Sequence, residues 1–222
     1  MYELDEETLS YLIETENLFR KQRENIDNFL KFAQLNYCGD ESIDINIGVN
    51  IFAVGSELLI FQILQNLKQG FLLISLIALR VLFENYINVH YIFQHPKHLN
   101  DRKWAIKLCE DYEKRSNDPK SNKGKLGDVS LYNRAKETGR EKDYQLIYSE
   151  LCDYSHFMGA ITKDIDQRFF KAQIIRAAIY ATTFYQDLLI AIASFFNCEF
   201  KIIIDEIIVF KEKGMEIISA IQ

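Results

Sequence analysis

The chain has 222 residues, a formal charge of −6 at pH 7 and 48 % apolar residues, but only nine glycines and two prolines. That composition suits an α-helical body and excludes a surface that is basic throughout, so attraction to a polyanion has to come from a local patch. Four cysteines, Cys38, Cys109, Cys152 and Cys198, stand singly without the paired spacing of zinc sites.

The opening stretch, from about Asp5 to Leu35, places Leu9, Leu12, Ile13, Phe19, Ile26, Phe29, Leu30 and Ala33 along one side of a helix. Its early acids, Glu3, Asp5, Glu6 and Glu7, complement the positive end of the helix dipole. Between Asn36 and Asn50 turn formers mix with alternating Ile43, Ile45 and Ile47, the pattern of a docked loop or a short extended piece. A second helix is expected from Ile51 to Gln69, and Gly70 marks either its end or a close contact inside a longer helix.

From Phe71 to Phe93 the chain is apolar on nearly every face, which predicts a central bundle helix covered on most sides and closed by Pro96. The apolar run from Phe71 to Leu79, broken by Ser75 alone, falls short of the roughly 20 residues that cross a bilayer. With no basic leader sequence, the expectation is a reduced cytoplasmic protein without a membrane partner. Helical spacing returns over His98 to Ser116, with Leu99, Trp104, Leu108, Cys109 and Tyr112 on one side. Asn117 to Asp128 has the composition of an exposed loop. Around it, Lys114 to Lys142 is the basic region of an acidic chain and includes Lys120, Lys123, Lys125 and Arg134.

A helix over Glu141 to Met158, a turn near Ala160 or Thr162, a long helix from about Asp164 to Asn197 and a terminal helix from Ile202 to Ile221 complete the pattern. If unbroken, the long helix spans roughly 50 Å. The isoleucines of the last helix either close the core or form a dimer contact. The expected fold is all-α: one antiparallel bundle of about six to eight helices. Residues 1–50 supply the first helix and loop, 51–197 the bundle core, and 198–222 the C-terminal helix.

Three groups of residues bear on chemistry. Arg80 and Glu84, one turn apart in the greasiest helix, read either as a cation held beside a cleft by its carboxylate or as a buried ion pair that fixes register, with Asn85 and Asn88 extending the polar stripe. His156, near a helix end, is a candidate acid or base, with Asp153 or Tyr154 to orient it and Cys152 one turn away. His90, His95 and His98 lack the carboxylate or cysteine that would complete a metal site, so no metal or other cofactor is expected. Phosphate-cradling glycine loops and the serine elbow are absent.

The run Leu79-Arg80-Val81-Leu82-Phe83-Glu84 into Tyr86-Ile87-Asn88 and Tyr91-Ile92, followed by Tyr148 and Tyr154-Ser155-His156, resembles a prokaryotic helical domain family of unknown function. That family is similar in turn to HEPN domains, and the resemblance covers roughly Gly55 to Asn197. It implies a HEPN-like bundle that binds or cleaves RNA as a metal-independent ribonuclease in phage defence, toxin–antitoxin pairs or stress. It also implies homodimers and an antitoxin or defence-complex partner. HEPN ribonucleases carry an arginine four to six residues before the histidine, and Glu150, Leu151 and Cys152 stand there instead. Only His156 transfers as the general acid or base. Arg80 then takes the cationic role with Glu84 holding it, Asn88 and Tyr154 contact substrate, and Lys120, Lys123, Lys125 and Arg134 attract the RNA backbone. The alternative is a non-catalytic interaction module whose Arg/Glu/His cluster is structural.

Overall fold

The first helix begins where a side chain takes up its unpaired amides. Asp5 accepts from the Thr8 backbone N–H at 2.8 Å and from the Thr8 hydroxyl at 2.6 Å, an N-terminal cap of the kind that stabilises a helix by about 1 kcal/mol. Helix α1 (Glu6–Asn36) follows. The computed structural model describes residues 3–36, 52–94, 125–126, 129–156, 167–195 and 203–221. Asn36, where a loop is expected to begin, ends α1, and the rest of that loop to 50, the helix over 98–116 and most of the loop over 117–128, with Lys120 and Lys123, lie outside the described residues.

After a π-helical turn over 52–54, α2 (Gly55–Lys68) and α3 (Leu72–Gln94) are separated at Gly70. Gly70 has φ 74°, a left-handed conformation that costs a side-chain-bearing residue about 1 kcal/mol or more. It lets the Gly70 N–H reach the Leu67 carbonyl at 3.0 Å and the Phe71 N–H reach Asn66 at 2.8 Å. This pair of bonds is the Schellman closure, so the glycine ends a helix instead of lying inside one. Gly139 (φ 72°) repeats the device after α4 (Leu131–Glu137), with Gly139 N–H to Lys136 and Arg140 N–H to Ala135 at 3.1 and 2.7 Å.

Two-residue strands β1 (Lys125–Leu126) and β2 (Val129–Ser130) pair antiparallel just before α4, whose first turn is capped by the Ser130 side chain. A continuous helical rod then runs through α5 (Glu141–Asp143), a π-helical turn (Tyr144–Tyr148) and α6 (Ser149–His156). The last two helices are α7 (Gln167–Phe195) and α8 (Ile204–Ile221). Apart from the two short strands, every regular element described is helical, so the fold is all-α.

Side-chain contacts fix the helix directions. Tyr11 stacks on Phe210 with centroids 4.4 Å apart, and Glu14 meets Lys213 while Lys21 meets Glu206, so α1 and α8 are antiparallel. Asn85 with Ser56 and Ser75 with Ile63 set α2 against α3 in the same way. The rod 141–156 opposes α3 through Tyr86–Asp143 and Glu84–Tyr148. Helix α7 runs parallel to α1 and α3, through Lys171–Asp5 and Gln22–Gln186 on one side and Phe83–Phe184 and Phe93–Phe195 on the other.

The hub of the bundle is α7, which touches α1, α2, α3 and α8. Its buried Ala172, Ala177, Ala178 and Ala181 let neighbours approach closely. The expectation that α3 is covered on most sides holds only in part. Leu76, Leu79, Leu82, Phe83 and Ile87 are buried, while Ile74, Ile77 and Val81 face outward. By length and hydropathy α3 and α7 would each suffice to cross a bilayer, yet 56 % and 61 % of their most apolar stretches are buried inside the bundle. Ile203, Ile207, Phe210, Ile217 and Ile218 of the terminal helix close the core against α1 and α7.

Candidate functional site

Helix α3 and the rod 141–156 meet along a polar seam. Arg80 and Glu84 stand one turn apart on α3, with Arg80 Nε 3.3 Å from Glu84 Oε1. Across the seam, Arg80 Nη2 donates to the Tyr148 hydroxyl at 3.1 Å, and that hydroxyl donates to Glu84 Oε1 at 2.9 Å. The guanidinium carbon lies 5.2 Å from the Tyr148 ring centre, within cation–π range. Tyr148 is the last residue of the π-helical turn, where the wider winding re-aims side chains relative to an α-helix.

The side chains of Arg80 and Glu84 keep 29 % and 36 % of their surface open to water. Burial alone would lower the Arg80 guanidinium, but the Tyr148 hydrogen bond and the negative groups around it, Glu84 among them, outweigh burial and hold it above its ordinary value. Burial and Glu84 together push the Tyr148 hydroxyl up, so it remains a donor at any physiological pH. The arrangement is a fixed cation with an aromatic face beside it.

That face continues along the seam. Tyr144 stacks on Tyr148 with centroids 4.8 Å apart, and Tyr132 meets Tyr144 edge-on at 5.5 Å. All three rings are half-buried. The phenol of Tyr132 donates to Glu141, which pushes its hydroxyl up. In the sequence Tyr148 stands out only as part of the family resemblance, and Tyr132 and Tyr144 belong to no motif. Tyr144 and Tyr148 are four residues apart, a spacing that puts both on one side of a helix, whereas Tyr132 lies on α4 and joins the row only through the tertiary fold.

A second cluster lies one to two turns further along α3. Arg140, delivered by the Gly139 turn, donates from Nε to the Tyr86 hydroxyl at 2.8 Å and from Nη1 to the Thr138 carbonyl at 2.8 Å, and its Nη2 is 3.1 Å from His90 Nε2. The Tyr86 hydroxyl is 3.3 Å from Asp143 Oδ2. Burial, reinforced by the Arg140 charge, pushes His90 down to about 3, so the ring is neutral and Nε2 accepts from the guanidinium. Here the structure brings an arginine and a histidine together, Arg140 and His90, a pairing that the sequence did not suggest. His90 is 6 % exposed.

Two of the expected substrate contacts are interior. Arg134 is 2 % and Asn88 8 % exposed, and Arg134 Nη1 donates to Asn88 Oδ1. Arg134 therefore does not belong to a solvent-facing basic loop. Leu131, Arg134, Ala135 and Thr138 form the buried i, i+3, i+4, i+7 stripe of a short helix that packs on α3, a period that the surrounding lysines obscure.

Comparison with family models, with curated proteins and with solved structures finds no match to this chain.

His156 is the final residue of α6, and Tyr154 lies in the same helix, but the side chains of both lie outside the described residues, as does that of Lys125 in β1. On the helix backbone, eight residues separate His156 from Tyr148, about 12 Å along the axis. The seam therefore places Arg80 at the level of Tyr148, two turns before the histidine. Cys152, half-buried, lies between those levels. Among the described residues, no group of three His, Cys, Asp or Glu side chains could hold a metal ion. A cavity of about 520 Å³ at the end of the bundle, lined by Asp5, Thr8, Arg168, Lys171 and Ile221 among others, includes none of the expected site residues.

Proposed function

We propose that this all-α bundle is HEPN-like and binds RNA along the seam between α3 and the rod 141–156, cleaving it without a metal in phage defence, a toxin–antitoxin pair or a stress response. The observation that carries the proposal is the half-exposed Arg80 set beside the Tyr148–Tyr144–Tyr132 row. Unstacked RNA bases pack on aromatic faces, and a fixed guanidinium pairs with phosphate, so one seam offers both contacts that single-stranded RNA requires. Each base stacked on an aromatic ring is worth about 1–3 kcal/mol.

In this proposal His156 is the acid or base at a ribose hydroxyl, Arg80 stabilises the charge on phosphorus, and Glu84 with Tyr148 orients Arg80. Tyr154, Lys120, Lys123 and Lys125 keep their proposed substrate-side roles. Asn88 and Arg134 do not, because each is buried against the other. An antitoxin or another defence-complex protein is the proposed partner.

One observation favours a second, non-catalytic reading. Arg80 is engaged by Glu84 and Tyr148, and Arg140 by Tyr86 and His90, so the same polar seam is equally suited to fixing the register of α3 against the rod in an interaction module. Expression of the wild type, Arg80→Ala and His156→Ala separates the two. The ribonuclease proposal expects growth arrest and fragmented total RNA with the wild type and neither with the variants. Intact RNA in all three, with the proteins folded, leaves the interaction module.

A further inference from the structure

Arg80 meets its neighbours along one edge of its guanidinium. Nε and Nη2 form that edge, which grips a carboxylate or a phosphate through two parallel N–H bonds. Nε is 3.3 Å from Glu84 Oε1, and Nη2 donates to the Tyr148 hydroxyl at 3.1 Å. The same hydroxyl donates to Glu84 Oε1 at 2.9 Å. Two oxygens from two helices, tied to each other by a hydrogen bond, therefore stand where two oxygens of one phosphate would stand.

Their grip is looser than the fork it imitates. Both hydrogen bonds to Glu84 fall on Oε1, and Oε2 accepts none among the described residues. At 3.3 Å the Nε contact is longer than the roughly 2.7–2.9 Å of a strong guanidinium–carboxylate bond. The Arg80 and Glu84 side chains keep 29 % and 36 % of their surface open to water, which weakens an ion pair further.

We propose that Glu84 and Tyr148 form an autoinhibitory cap on Arg80, a built-in phosphate mimic that an RNA phosphate displaces before the guanidinium binds it. The cap presupposes that the seam binds RNA, and it gives Glu84 a sign opposite to that of a purely orienting residue. At rest the carboxylate holds the guanidinium in place. When a phosphate arrives, the carboxylate competes for the same edge and its charge repels the phosphate. An orienting residue would strengthen binding, whereas a cap opposes it.

Displacement leaves the rest of the seam intact. The Tyr148 ring lies 5.2 Å from the guanidinium carbon, stacks on Tyr144 at 4.8 Å and packs on Phe83 at 5.7 Å. Those ring contacts keep Tyr148 beside Arg80 once its hydroxyl is exchanged for a phosphate oxygen, so uncapping requires only that the Glu84 side chain withdraw.

Fluorescence anisotropy of a labelled single-stranded RNA, with wild type and Glu84→Gln, tests the cap. Glutamine keeps the shape and an oxygen for Nε and the tyrosine hydroxyl, but not the charge. Glu84→Gln is expected to bind about two- to fivefold more tightly, the equilibrium factor of a partly exposed ion pair. Its salt slope is expected to steepen by up to about 0.7, because an uncapped arginine brings its full charge to the phosphate. Equal or weaker binding by Glu84→Gln, with the wild type still binding, overturns the cap and leaves the RNA reading standing. No RNA binding by either protein overturns both. If Glu84→Gln fails to fold, Tyr148→Phe decides: it removes the second oxygen of the mimic, keeps the ring and is expected to tighten RNA binding, and unchanged or weaker binding overturns the proposal.

Discussion

The Tyr148 hydroxyl stands between Arg80 and Glu84, accepting from the guanidinium at 3.1 Å and donating to the carboxylate at 2.9 Å. Two charged partners lose a bridging group if it is removed, while the ring that packs on Phe83 at 5.7 Å remains. Tyr148→Phe is therefore expected to cost about 1 kcal/mol, below the usual range for hydrogen bonds to charged groups because the site is partly solvated. In a thermal melt that is a fall of roughly 2–4 °C for a domain of this size. Tyr148→Ala also removes the stacks on Phe83 and Tyr144 and is expected to fall further.

His90 sets a pH dependence with a definite sign. Its folded pKa is lowered from 6.5 to about 3, so below pH 6.5 the unfolded chain binds a proton that the folded chain refuses. Stability is therefore expected to decline as pH falls from 6.5 towards 3, with a slope approaching about 1.4 kcal/mol per pH unit from this residue. Asp187, pushed up by burial and by Asp143 against the opposing pull of Arg140, acts in the opposite direction as it takes up its proton in the folded state. Melting wild type and His90→Gln side by side from pH 7 to 4 isolates the histidine. The variant is expected to show the shallower decline.

Gly214 lies mid-helix in α8, where alanine would ordinarily stabilise by about 1 kcal/mol. A Cβ there would stand 2.3 Å from the Tyr11 hydroxyl and 2.8 Å from Ile179 Cδ1. Tyr11 cannot yield freely, because it is fully buried, stacks on Phe210 and donates to the Phe210 carbonyl at 3.0 Å. Overpacking of this kind costs about 1–3 kcal/mol, so Gly214→Ala is expected to be net destabilising in urea unfolding. The expected sign is opposite to that of helix propensity.

Gly139→Ala is expected to act at a distance from its own position. Its φ of 72° costs an alanine about 1 kcal/mol, and the Schellman bond from the Arg140 N–H holds that residue where it reaches Tyr86 and His90. The histidine's titration, followed by NMR, is expected to move up towards its ordinary value as the guanidinium shifts away.

The long helices were legible in the chain because their apolar period is strong. The expected spans of 5–35, 71–93 and 202–221 differ from α1, α3 and α8 by no more than two residues at either end. Gly70 left two readings open, since a helix end and a close packing contact both favour glycine and only the backbone angle separates them. The short elements around Lys125 to Glu137 were hidden by lysines that carry the composition of a loop, and Arg134 was misplaced on the surface for the same reason. At the site, Arg80 with Glu84 was readable because an i, i+4 charge pair in an apolar helix stands out. The Tyr148 bridge and the Arg140–His90 contact join residues 64 and 50 positions apart, and no local pattern encodes such a pairing.

The most direct test of the seam as an RNA-binding surface is fluorescence anisotropy of a labelled single-stranded RNA, titrated with wild type and Arg80→Ala at several salt concentrations, after circular dichroism shows equal helicity. If Arg80 meets phosphate, the substitution lowers affinity by at least about tenfold and reduces the salt slope by roughly 0.7, the value for one contact to a single strand. Equal affinity and equal slope for the two proteins would contradict the assignment.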